Sequence, residues 1–93
     1  MSLFANAESP TATDLEREET EYLLFQELES AFPRQAFLSV QAICEFLGCE
    51  MQVVYNWNKR ADRSKRPPVL QVGKQLRFNK RSFARWLASE QSR

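Results

Sequence analysis

The chain has 93 residues and a mass of 10.9 kDa, and 43% of its residues are hydrophobic, which is enough for one small domain with its own core. It contains no histidine, two cysteines and two glycines, so it lacks the ligands of a structural zinc site, the usual general base and a glycine-rich phosphate loop, and we expect no metal, no cofactor and no enzymatic activity. The net charge of +1 divides into −7 over residues 1–30 and +8 over residues 31–93, an asymmetry that predicts an acidic segment joined to one that binds a polyanion.

The first third of the chain predicts a tail and one helix. Residues 1–12 are small and polar without periodicity, which is typical of a flexible tail. An acidic helix is predicted over residues 13–33, with Thr13 as its N-cap and Pro33 ending it. It is expected to be amphipathic, with an apolar stripe formed by Leu15, Tyr22, Phe25 and Leu28.

The function of this acidic helix is open among three hypotheses. Its apolar stripe packs on the rest of the domain as a scaffold. Alternatively, the stripe is a seam for a homodimer or a docking site for a partner protein. In the third hypothesis, its negative charges shield the basic segment until the polyanion displaces them.

Two short helices joined by a tight turn are predicted next. Ser39 is a hydroxyl N-cap for a helix over residues 40–47. Gly48 provides the positive φ that a sharp turn often requires. A third helix is expected over about residues 50–59, and it buries Val53 or Val54 together with Trp57. This pattern is that of a helix-turn-helix.

The rest of the chain predicts a basic loop, a hairpin and a closing helix. The loop covers residues 60–68. Two strands then meet across Gly73-Lys74, where glycine suits the first position of a type II′ turn. Asn79 caps a last helix, in which Phe83, Trp86 and Leu87 share one inward face. The predicted fold class is therefore mainly α with a small β-hairpin.

Several short motifs in this order resemble the excisionase-type winged helix-turn-helix domain, a relative of the MerR DNA-binding domain. They are Leu38-Ser39 with Ala42 or Ile43, Leu47-Gly48, Val54-Tyr55-x-Trp57, Val72-Gly73-x-x-x-Arg77-Phe78 and Phe83-x-x-Trp86-Leu87. The resemblance covers about residues 37–88, and we assign residues 37–90 to the domain. It implies a protein that binds double-stranded DNA, as a small transcription regulator or a recombination directionality factor. It also implies a recognition helix in the major groove and a hairpin wing on the minor groove or the backbone.

The chemistry of the basic half agrees with this expectation. Gln52, Tyr55, Asn56 and Lys59 share one face of the presumed recognition helix, and glutamine and asparagine can each pair with an adenine edge. The remaining candidates are cations, which suit phosphate contacts. They are Arg60, Arg63, Lys65 and Arg66 in the loop, Lys74 and Arg77 in the hairpin, and Lys80 and Arg81 in the last helix.

Three departures from the family pattern keep an alternative open. Glu50 and Met51 stand where the family has a small cap and a basic residue, and Asn56 stands where arginine is common. The alternative function is a protein-interaction adaptor, or a DNA-packaging recognition subunit, on a winged-helix scaffold. We expect dimers or cooperative copies on DNA. DNA is then the polyanion that would displace the acidic helix, and a recombinase or a transcription protein is the partner that would dock on it. The chain has no apolar run near the ~20 residues of a membrane span, so we expect no membrane partner and a cytoplasmic, nucleoid-associated protein.

Overall fold

The structure, a computed structural model, describes residues 12–91 and is mainly helical with one small antiparallel sheet. The flexible tail predicted over residues 1–12 lies outside the described residues except for Ala12. The elements in chain order are α1 (Ala12–Ala31), β1 (Phe37–Ser39), α2 (Val40–Leu47), α3 (Met51–Trp57), a 3-10 turn (Arg63–Lys65), β2 (Leu70–Val72), β3 (Gln75–Asn79) and α4 (Lys80–Gln91). In this part of the chain no helix is both long and apolar enough to cross a membrane.

The first helix differs from its prediction at both ends. It already includes Ala12, so Thr13 lies within the helix and is not the N-cap, and it ends at Ala31. The four residues of the predicted apolar stripe do not share one environment, because Leu15 and Tyr22 are 55% and 62% exposed while Leu28 is fully buried. Apolar side chains are spread around α1, and only part of them reaches the core.

The sheet contains a strand that sequence reasoning missed. Its strand order is β1-β3-β2, and both pairings are antiparallel. The central strand pairs Phe78 with Leu38 of β1 and Arg77 with both Ser39 and Leu70. β1 therefore connects the hairpin to Ser39, the residue immediately before α2.

The caps and turns predicted around α2, the hairpin and α4 are confirmed. Ser39 accepts a hydrogen bond from the backbone N–H of Ala42 at 3.1 Å, and Gly48 ends α2 with a φ of 69°. Gly73 has a φ of 62° while Lys74 keeps a negative φ, which is the pattern of a type II′ turn. Asn79 Oδ1 accepts a hydrogen bond from the N–H of Ser82 at 3.1 Å.

The core lies between the sheet, α2, α3 and α4, and α1 adds Leu28 to it. Of the two valines considered for α3, Val54 is fully buried and Val53 is 40% exposed. The predicted inward face of α4 is confirmed, and its aromatic rings contact Trp57, whose ring centroid lies 5.0 Å from that of Trp86. Burial of these rings stabilises the orientation of α3 against α4.

Candidate nucleic-acid interface

The outward face of α3 carries three polar side chains, and a fourth lies in the turn that follows the helix. Gln52, Tyr55 and Asn56 are exposed, as the spacing predicts, because Val54 anchors the opposite side of the helix. Lys59 is also exposed, but α3 ends at Trp57, about two residues before its predicted end. Gln52 Nε2 donates a hydrogen bond to Asn56 Oδ1 at 2.9 Å, one helical turn away. The two amides therefore lie side by side and present donors and acceptors of the kind that read base edges.

A groove connects this face to the hairpin. Its walls are residues 39–41 at the start of α2, Met51 and Tyr55 of α3, and residues 74–77 of the hairpin, and its volume is about 240 Å³. Lys74 and Arg77 are its only charged lining residues. The groove is therefore lined by positive and neutral groups, which suits a phosphate or another anion.

The two cations of the hairpin, Lys74 and Arg77, differ in exposure and in hydrogen bonding. Lys74 lies at the exposed tip, in the turn. Arg77 lies on the central strand and is half-buried, and its guanidinium donates hydrogen bonds to the carbonyl oxygen of Leu76 at 3.0 Å and to Gln75 Oε1. Arg77 is therefore pre-oriented along the groove, whereas Lys74 is a mobile point charge on a long stem.

Two arginines of the basic loop after α3 form hydrogen bonds within the loop. Arg60 donates a hydrogen bond to the Lys65 carbonyl at 2.8 Å, forms an ion pair with Glu90 at 2.9 Å and lies over the Trp86 ring. Arg66 Nε donates in turn to the Arg60 carbonyl at 2.6 Å. These two arginines hold the loop together, and their prediction as DNA contacts stays a prediction.

Arg63 and Lys65 of the same loop are exposed. The backbone of Lys65 is fixed, because its carbonyl accepts hydrogen bonds from Arg60 and, at 3.3 Å, from Trp86 Nε1. The loop therefore presents two outward charges from an ordered backbone, directly after the carboxyl end of α3.

Lys80 does not belong to the exposed set, which corrects its assignment as a DNA contact. Its side chain is buried, and its ammonium group forms an ion pair with Glu29 and donates to the Phe32 carbonyl at 2.9 Å. Its backbone N–H donates a hydrogen bond to the Ala36 carbonyl oxygen at 3.0 Å. Both partners of the ammonium group come from the amino-terminal part of the chain, which no local pattern around Lys80 could reveal.

The next two cations of α4 also contact α1. The Arg81 guanidinium lies 4.4 Å from the centre of the Phe25 ring, and Arg85 lies 3.6 Å from Glu21. Together with the ion pair of Glu29 and Lys80, these contacts form a row between two antiparallel helices, in which the α1 residues are spaced one turn apart. The shielding hypothesis therefore has a structural counterpart, but one that covers α4 and not the groove beside α3.

Sequence reasoning did not assign part of the groove wall to the site. Gln41 and Gln75 line it at unspecified positions of the motifs, and Met51, noted only as a departure from the family pattern, lines it as well. Met51 is 45% exposed in the first turn of α3. Glu50, at the N-cap position before it, has an extended backbone and makes no side-chain capping hydrogen bond.

Searches of protein-family models, curated proteins and solved structures found no match to this chain. Among the described residues, no three His, Cys, Asp or Glu side chains are arranged to hold a metal ion. The functional interpretation therefore depends on the geometry of the interface alone.

Proposed function

We propose that this protein binds double-stranded DNA through α3, the hairpin and the basic loop, as a winged helix-turn-helix does. It has no catalytic role in this proposal. It acts as a small transcription regulator or a recombination directionality factor, and its copies bind as dimers or side by side, because one small domain buries little surface on DNA.

The observation that supports this proposal is the groove between α3 and the hairpin. It brings Tyr55, Lys74 and Arg77 together although they come from elements about twenty residues apart in the chain. Cations along a groove next to a polar helix face are the combination that duplex DNA requires, since phosphates provide affinity and base edges provide specificity.

In the proposed complex, α3 lies in the major groove. Gln52 and Asn56 exchange their mutual hydrogen bond for bonds to base edges, and adenine is the base whose edge both amides match. The hairpin lies against the adjacent minor groove or backbone, where Lys74 and Arg77 meet the negative potential of the phosphates. Lys59, Arg63 and Lys65 follow the backbone beyond the end of α3.

The test is a titration of a labelled mixed-sequence duplex, read by fluorescence anisotropy at several salt concentrations. We expect log K to fall linearly with log salt, with a slope near −0.9 for each phosphate that is neutralised. Arg77→Gln should weaken binding and reduce the slope by about one contact. Arg34→Gln is the matched control, because Arg34 is exposed beside α1 and not in the groove, and the charge change is the same.

Two results would contradict the proposal. One is binding that is absent or independent of salt. The other is an equal effect of Arg77→Gln and Arg34→Gln, because net charge and not the groove would then determine the affinity. Circular dichroism of each variant confirms that the fold is unchanged.

A second candidate function is a protein-interaction adaptor that docks through α1. The observation in its favour is the exposure of Leu15, Tyr22 and Leu23, which are each more than half exposed on an acidic helix. Exposed apolar side chains of this size are enriched where proteins bind partners. An adaptor would show no salt-dependent affinity for duplex DNA in the same titration.

A further inference from the structure

The turn between α2 and α3 brings the two cysteines of the chain together. Gly48 adopts the left-handed conformation, and the Cys44 carbonyl accepts hydrogen bonds from the N–H of Gly48 at 2.7 Å and of Cys49 at 3.1 Å. This bonding between the first and sixth residues is that of a Schellman turn, which places the side chains of those two residues in contact. In this chain both residues are cysteine.

The two thiols differ in their access to solvent. Cys44 is buried in the core, whereas Cys49 is partly exposed at its edge. Both are free thiols, and they lie within hydrogen-bonding reach of each other. Burial raises the pKa of the Cys44 thiol, and the neighbouring Cys49 and Glu45 raise it further. Cys49 is the more exposed of the two thiols, so a dissolved reagent reaches it first.

Core packing alone does not require this arrangement. The contact that usually closes a Schellman turn is between two apolar side chains, and any pair of suitable size serves. Two thiols in this contact add a reaction that apolar side chains lack, because a disulfide can form where the Cα atoms of two cysteines lie within about 4.4–6.8 Å and their Cβ atoms face each other. A backbone hydrogen bond between these same two residues provides that condition.

We propose that Cys44 and Cys49 are a redox pair, which a peroxide converts from the dithiol into an intramolecular disulfide. The Cys49 thiolate attacks one peroxide oxygen, the O–O bond breaks, and the leaving hydroxide takes a proton to become water. Cys49 is then a sulfenic acid. The Cys44 sulfur attacks the Cys49 sulfur, the S–O bond breaks, and the leaving hydroxide takes the Cys44 proton as a second water. Each sulfur loses one electron, and the peroxide gains both.

The position of the pair connects this reaction to the interface. Cys49 precedes α3 by two residues, and Cys44 lies on α2, so the disulfide acts on the turn that orients one helix against the other. Formation of the S–S bond holds the two sulfurs about 2.05 Å apart. We expect the oxidised form to bind duplex DNA several-fold more weakly, an expectation that rests on the proposed function.

The test is treatment of the dilute full-length chain with hydrogen peroxide, followed by mass spectrometry without reductant. The expected product is a monomer lighter by two hydrogen atoms, with the bond between Cys44 and Cys49, which a dithiol reductant reverses. Cys44→Ala should stop at a sulfenic acid that dimedone traps, and Cys49→Ala should react much more slowly. Mixed disulfides between chains, or oxidation of both cysteines to separate acids, would overturn the proposal.

The DNA titration of the oxidised and reduced forms then tests the connection to α3. Equal affinities of the two forms would overturn that connection while the redox pair stands. If the reduced form shows no salt-dependent binding at all, the proposed function fails and the disulfide result is unaffected. The Cys49→Ala variant is the matched control, because peroxide should leave its DNA affinity unchanged.

Discussion

Lys80 of α4 forms an ion pair with Glu29 of α1, although Lys80 is only 5% exposed. Its ammonium group also donates to the Phe32 carbonyl. Buried charges of this kind persist only when they are paired and hydrogen-bonded. This pair connects the acidic helix to the carboxyl-terminal half of the chain.

We expect Lys80→Ala to lower the free energy of unfolding by about 1–3 kcal/mol, because Glu29 and the Phe32 carbonyl lose a charged partner. Its effect on DNA affinity should be small. Lys74→Ala is the matched control with the opposite outcome, since Lys74 is exposed and should change stability by less than about 0.5 kcal/mol while weakening DNA binding. Urea denaturation and the duplex titration measure the two effects. If Lys80→Ala lost DNA affinity without losing stability, Lys80 would instead be inferred to contact DNA.

Base discrimination is expected to depend on the two neighbouring amides of α3. Gln52→Ala and Asn56→Ala should each reduce the preference for the best binding sequence over a random duplex, by about 1–3 kcal/mol for a bidentate contact. The salt slope should stay the same, because neither side chain is charged. Selection from a random duplex library identifies the preferred sequence, and competition titrations measure the difference. Gln26→Ala on the exposed surface of α1 is the control, and an equal effect there would exclude specific readout by α3.

The contribution of α1 to the core is testable by comparing two leucines of the same helix. Leu28→Ala should destabilise the fold by about 2–5 kcal/mol, because it leaves a cavity at a fully buried position. Leu23→Ala, at a position 57% exposed, should change stability by less than about 0.5 kcal/mol. Thermal and urea denaturation give both values. Equal effects of the two substitutions would mean that α1 is not anchored through Leu28.

The order of the basic loop is expected to depend on Arg60. Arg60→Ala removes the hydrogen bond to the Lys65 carbonyl, the ion pair with Glu90 and the contact with the Trp86 ring. A local loss of ~1 kcal/mol raises the population of the open loop roughly fivefold, so trypsin should cut after Arg63 and Lys65 correspondingly faster. Lys59→Ala is the control, since Lys59 is exposed. Unchanged cleavage in Arg60→Ala would show that other contacts hold the loop.

The features that the sequence predicts well are those formed within a few residues. The Ser39 and Asn79 caps bond three residues ahead, and Gly48 closes a turn with a carbonyl four residues back. Short-range rules of capping and turn chemistry contain the relevant physics at such positions. For the same reason, the bounds of α2 agree with the prediction.

The features that the sequence-based prediction missed depend on residues far away in the chain. β1 has three residues, and its pairing strand lies about forty positions later, so no local pattern identifies it as a strand. The burial of Lys80 depends on Glu29 and Phe32, about fifty positions earlier. Leu15 precedes the residues of α1 that contact Arg81 and Arg85 of α4, and it is exposed although its spacing is that of a core face. Tyr22 lies between two of those residues and is exposed as well. In each case tertiary packing decides what local propensity leaves open.

The pairing of Ser39 with Arg77 has a mechanical consequence for any duplex that binds here. Ser39 ends β1 and also caps α2, so the backbone that leads to the helices and the backbone of the hairpin share hydrogen bonds. The sheet therefore fixes the position of the hairpin backbone relative to the start of α2. In the proposed complex the nucleic acid has to bend or narrow to match this spacing, and sequences that deform easily are favoured at positions that no side chain touches.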